Sequence, residues 1–185
     1  MENMKINREK LNEVIINLRF GLDKYELIMD MFYKVDVSVD AKFQNLYKSF
    51  YGFRHPDVNA FSKGFFDYLE RHKNKELEFD SVLKYLEQYG RIEASFASKL
   101  IATINQNKPV IDRYVLHNIG MRLPYTYTKN RFEKTIEVYR DVECWYQIFL
   151  STEDASIMID SFNKAYTNAK ITNLKKIDLI LWQMR

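Results

Sequence analysis

SFASKLIATINQNKPVIDRYVLHNIGMRLP, residues 95–124, decides the fold class. Phe96, Ala97, Leu100, Ile101 and Ile104 recur at helical spacing, so Ile92–Ile104 reads as a helix of small and apolar residues. NQNKP is a polar turn closed by Pro109, and Val115, Leu116 and Ile119 form the stripe of a second helix, Asp112–Ile119, ended by Gly120. Asp112 stands where that helix begins, the position at which a short carboxylate satisfies free backbone N–H groups. The same carboxylate is favoured as the anion by the helix macrodipole, which suits stabilisation of a developing cation better than general acid work.

The pattern repeats outward. A first helix spans about Ile6–Leu18 with Leu11, Val14, Ile15 and Leu18 inward, and Gly21 is expected to break it. Further stripes follow at Leu22–Tyr33, Ala41–Tyr51, Asn59–His72, Ser81–Tyr89, Lys129–Leu150 and two helices near the end. Asp40, Asp80, Thr128, Thr152 and Thr172 are the expected caps. VDVSVD alternates like a strand but has no partner, so it reads as a linker. The chain is therefore expected to be all-α, an orthogonal bundle of about ten helices in a single domain over 1–185, or two lobes of about 1–90 and 91–185 with segment 92–124 near their cleft. Only 5 Gly and 3 Pro agree with this, since all-β turn chemistry needs more of both.

Composition excludes several functions. One cysteine, Cys144, rules out an intramolecular disulfide and a cysteine-rich zinc site; its apolar neighbours in ECWYQIFL suggest a buried position. His55, His72 and His117 are scattered, so no metal is expected, and no cofactor either. The amino terminus has no apolar signal region and no run reaches membrane-spanning length, so no membrane partner and a cytoplasmic location are expected.

Net charge is only +3, yet Asn105–Arg140 carries Lys108, Arg113, Arg122, Lys129, Arg131, Lys134 and Arg140 against Asp112, Glu133 and Glu137, a surplus of four. Tyr125, Tyr127, Lys129 and Arg131 interleave rings with cations, the composition of a surface that stacks on bases and holds phosphates. Arg54-His55-Pro56-Asp57 is read as a turn held by its Asp, or as a His–Asp dyad. Trp182, in KKIDLILW, is expected in the core, with Lys176 and Asp178 on the outer side of the last helix.

Segment 95–124 resembles the helix-hairpin-helix DNA glycosylases of the endonuclease III type. Their V-D-x-H-[VI]-x-R-V pattern stands here as Ile111-Asp112-Arg113-Tyr114-Val115-Leu116-His117-Asn118-Ile119, after a helix with Ala97 and Ala102. The resemblance implies that Asp112 is the catalytic carboxylate and that DNA is the partner. Arg91, Lys99, Lys108, Arg113, Tyr125, Tyr127, Lys129 and Arg131 would then contact nucleic acid. The hairpin is degenerate: Tyr89-Gly90-Arg91-Ile92-Glu93-Ala94-Ser95 replaces L-P-G-[VI]-G. Ser95 stands near the place of the bifunctional enzymes' lysine, so lyase chemistry is not expected, and a single cysteine cannot hold the family's iron–sulfur cluster. The SFASK segment with KKIDLILW is also similar to a group of bacterial helical proteins, themselves distantly glycosylase-like; that similarity implies the fold alone. The alternative reading is a non-catalytic helical module that binds a protein partner or a second copy of itself.

Overall fold

A computed structural model describes residues 8–184. The described residues form ten helices and no strand: α1 Arg8–Asn17, α2 Arg19–Phe32, α3 Ala41–Tyr51, α4 Val58–Arg71, α5 Phe79–Glu87, α6 Ala94–Ile104, α7 Arg113–Asn118, α8 Arg131–Phe149, α9 Glu153–Ala165 and α10 Asn173–Gln183. The protein is an all-α multi-helix bundle, as the periodicity predicts. The chain divides into two compact units. Gly21–Asn105 forms a middle unit, and residues 8–20 join residues 106–184 in a terminal unit.

Aromatic packing builds the middle unit. Phe32, Phe43, Phe61, Phe65 and Phe66 are fully buried, with Tyr25 and Tyr47 among them. Phe43 on α3 meets Phe66 on α4 edge-on at 6.2 Å, and Phe53 lies 4.6 Å from Phe96 of α6. Each such side chain contributes about 1.5–3 kcal/mol by burial, and favourable ring geometry adds about 0.5–1.5 kcal/mol. Thr103 Oγ1 donates to Lys99 O at 2.7 Å, so at its 3.2 Å contact the Tyr47 hydroxyl is the donor. Burial drives the Tyr47 phenol well above its ordinary range. Gly64, inside α4, leaves the room that the Tyr89 hydroxyl occupies; a Cβ there would overlap it. Burial, then the Tyr85 hydrogen bond, raises Tyr89 to about 12.

In the terminal unit α10 packs against α7, α9 and α1. Thr172 caps it, accepting from Lys175 N at 3.2 Å, and donates from the same hydroxyl to Gln106 O at 2.8 Å. Thr152 caps α9 likewise, and in the middle unit Asp40 caps α3 through Phe43 N at 2.7 Å.

Four expectations fail locally. Gly21 lies inside α2, and the break between the first two helices falls at Leu18. Asp80 sits within the first turn of α5, where its carboxylate accepts from the N–H and hydroxyl of the adjacent Ser81 and caps nothing further on, because the helix begins earlier at Phe79. Thr128 does not cap α8. That helix starts at Arg131 after Asn130, whose φ of 55° places it in the left-handed region that an Asn tolerates. Cys144 is exposed, since Trp145, Tyr146 and Phe149 take the buried face of α8 and leave Cys144 and Ile148, one turn apart, on the opposite side. Trp182 is half-buried.

Candidate functional site

Asp112 caps α7, as its sequence position predicts. Buried Val110 and Ile111 anchor the approach, and Asp112 Oδ1 accepts from Tyr114 N at 2.8 Å and Val115 N at 3.0 Å. At the other end of α7, Asn118 Nδ2 donates to Leu181 O and Met184 O, tying the short helix to the end of α10. The carboxylate is half-buried and its observed work is structural.

Behind it lies an ionic network that corrects the reading of α10. Lys175, Lys176 and Asp178 are buried, at 1%, 9% and 4% exposure. Lys175 Nζ meets Asp178 Oδ2 at 2.7 Å, and Asp178 Oδ1 accepts from Tyr146 Oη at 3.1 Å and from Val110 N at 3.4 Å. Asp178 therefore holds the strand-like lead into Asp112 from below. Lys176 turns toward Asn173 Oδ1 and lies 6.0 Å from the centre of the Phe162 ring. Tyr146 is driven well above its ordinary pKa, first by burial, then by the charge and hydrogen bond of Asp178, and last by the charge of Asp112. The sequence signal was present: Lys175 and Asp178 stand at i, i+3, the spacing at which such charges meet.

The other expected contact residues divide between the units. In the terminal unit, Lys108 pairs with Glu143 at 2.7 Å, and Arg113 lies against the Tyr114 ring and donates to its hydroxyl at 3.0 Å. Tyr125, Tyr127 and Lys129 lie in the connection between α7 and α8, and Arg131 is the first residue of α8. There the Tyr125 and Tyr127 rings lie parallel, 3° apart with centroids 5.6 Å apart, and Tyr127 is 86% exposed. Arg122 donates to the Tyr125 hydroxyl at 3.0 Å with its guanidinium 5.2 Å from the ring centre, and Arg131 Nε donates to Pro124 O at 3.4 Å, closing the loop on α8. Lys129 is exposed.

Beside the paired rings is a hollow of about 310 Å³. Arg122, Leu123, Pro124, Tyr125 and Thr128 form one wall; Lys134, Glu137, Val138 and Asp141 of α8 form the other. The α8 residues follow i, i+3, i+4, i+7, so one helix face supplies them all. Sequence reading missed them as a group, because only the loop's return across α8 makes that face a wall.

In the middle unit, Arg91 Nε lies 3.4 Å from Glu93 Oε1. Lys99 is buried; its ammonium donates to Tyr51 O at 3.1 Å and lies 5.0 Å from the Phe96 ring centre, so it serves the interior of the unit. Asp57 caps α4 through Ala60 N at 3.2 Å and its own N–H donates to His55 Nδ1 at 3.1 Å, which makes Arg54–Asp57 a capped turn. His55 stacks on Phe61 and turns Nε2 toward Glu93 Oε1 at 3.6 Å, away from Asp57. Among the described residues no group of three His, Cys, Asp or Glu side chains gathers as a metal-ligand set, and no helix is long and apolar enough to cross a membrane. No protein-family model matches the chain, and no curated protein or solved structure is similar to it.

Proposed function

We propose that this chain is a nucleic-acid-binding protein of DNA-glycosylase-like character, and that the connection from Arg122 to Arg131 is its contact surface. The observation that carries the reading is the parallel Tyr125–Tyr127 pair, exposed beside Arg122, Lys129 and Arg131. Bases of every kind present a flat face to such a ring, at about 1–3 kcal/mol each, while neighbouring cations draw the phosphates. Asp112 is the carboxylate on which any base release would depend. Its hydrogen bonds to two backbone N–H groups hold it in one orientation, as a charge-stabilising group requires.

The test is binding to fluorescent single-stranded, duplex and abasic-duplex DNA across a salt series. Affinity should fall steeply with salt, and Tyr127→Ala should weaken it about tenfold. Salt-insensitive binding, or a Tyr127→Ala variant that binds like wild type, overturns the reading. Base release that survives Asp112→Asn removes the catalytic role from Asp112.

A protein-interaction module is the second reading, favoured by Ile16 and Phe20 at 73% and 71% exposure in the terminal unit. It predicts concentration-dependent sedimentation that Ile16→Glu abolishes.

A further inference from the structure

The hollow beside the tyrosine pair has a charge layout that a phosphate-binding surface does not need. Arg122 and Lys134 are cationic, but Glu137 and Asp141 line the same space. The side chains of Lys134, Glu137 and Asp141 form no hydrogen bond or ion pair among the described residues, so the carboxylates are not there to neutralise their neighbours. Two anions close to a phosphate track weaken it by like-charge repulsion. An ionised carboxylate only accepts hydrogen bonds, so a ligand that uses Glu137 or Asp141 must bring donors, as the N–H groups of a base do.

Resting on the nucleic-acid reading above, we infer that the hollow takes one unpaired amino-bearing base of a strand, guanine above all. Leu123, Pro124 and Val138 give the hollow apolar lining and Tyr125 a ring, and its volume of about 310 Å³ has space for a planar heterocycle. Guanine presents two adjacent donors, its ring N1–H and exocyclic amino group, to one carboxylate. Cytosine and adenine present an amino group alone, and carboxylate acceptance of such a group is an established mode of base readout. Thymine has a single N–H flanked by two carbonyl oxygens, which the carboxylates repel. Arg122 and Lys134 meet the phosphate next to the bound base.

The experiment uses short thymidine oligomers in which one central base is thymine, guanine, cytosine or adenine, titrated against the full chain at neutral pH. Guanine should bind about tenfold more tightly than thymine, with the other two between. In the double variant Glu137→Gln/Asp141→Asn the guanine preference should collapse, while the all-thymine oligomer binds more tightly because two negative charges are gone. A merely structural role would move neither base preference nor its sign, and a melting curve establishes that the variant folds. Equal affinity for all four oligomers, still salt-dependent and weakened by Tyr127→Ala, overturns the base pocket and leaves the nucleic-acid reading standing. No binding of any oligomer at low salt overturns both. Free deoxyguanosine monophosphate competing at the same concentration as the oligomer overturns a strand as the occupant.

Discussion

The middle and terminal units solve the problem of a buried interior in opposite ways. The middle unit packs rings: Phe43, Phe61, Phe65 and Phe66 need only space and geometry from their neighbours. The terminal unit buries Lys175 and Asp178, which need each other, with Tyr146 and Val110 completing the bonds. Apolar packing degrades gradually when one member is trimmed, whereas a buried ion pair loses its compensation at once. What the terminal unit gains is position. Asp178 fixes the segment that delivers Asp112 to α7, and no ring could grip a backbone N–H in that way.

Raising the pH attacks both designs and has the largest effect. Tyr47 and Tyr89 in the middle unit and Tyr146 in the terminal unit all have phenols raised by burial. The unfolded phenol ionises near 10.0, and the folded one keeps its proton to higher pH, to about 12 for Tyr89. The stability these three phenols contribute is therefore fully present below pH 10 and is lost as pH rises through that window. Melting temperature and tyrosinate absorbance followed together should show a last group of tyrosines ionising only as the chain unfolds; reversible ionisation of every tyrosine in a folded chain would count against the contrast.

Asp178→Ala comes next, at about 3–5 kcal/mol in urea unfolding, because it strands the Lys175 ammonium. Replacing the pair together with Lys175→Met/Asp178→Leu should recover much of the loss. If the single and double variants lose the same amount, the pair is not what distinguishes the terminal unit. Gly64→Ala should cost about 1–3 kcal/mol, since Tyr89 must leave its place against α4; Tyr89→Phe should relieve part of this, measured as a double-mutant cycle. Smallest is Asp112→Ala, at about 1 kcal/mol for a lost cap, with Asp112→Asn nearly neutral because Asn caps as well. A loss from Asp112→Ala as large as that from Asp178→Ala would mean the cap, not the ion pair, holds the segment.

Helix caps whose side chains reach a backbone N–H two or three residues on were legible from sequence alone: Asp40, Asp112, Thr152 and Thr172 all act as their spacing predicts. Such bonds are local, so local residues specify them. Rotation about the helix axis was harder to read. KKIDLILW has charges at positions that look outward, but α10 is packed by α7, α9 and α1 and has little outer side left. ECWYQIFL sets apolar residues on both sides of the helix, Cys144 and Ile148 as well as Trp145 and Phe149, so composition could not say that Trp145 and Phe149 would face in and Cys144 out. The pairing of Tyr125 and Tyr127 with cations was visible as composition; their parallel rings and the hollow behind them depend on Arg131 tying the loop to α8 at Pro124.

The outward turn of Cys144 has a practical consequence. It is the chain's single thiol, exposed on α8 three residues beyond Asp141, about 4.5 Å further along the helix axis. A maleimide dye added to the unmodified protein would attach at one known place on the helix that forms a wall of the hollow. Occupancy there could then be watched as a change in colour or lifetime, one molecule at a time, with no residue altered to obtain the signal.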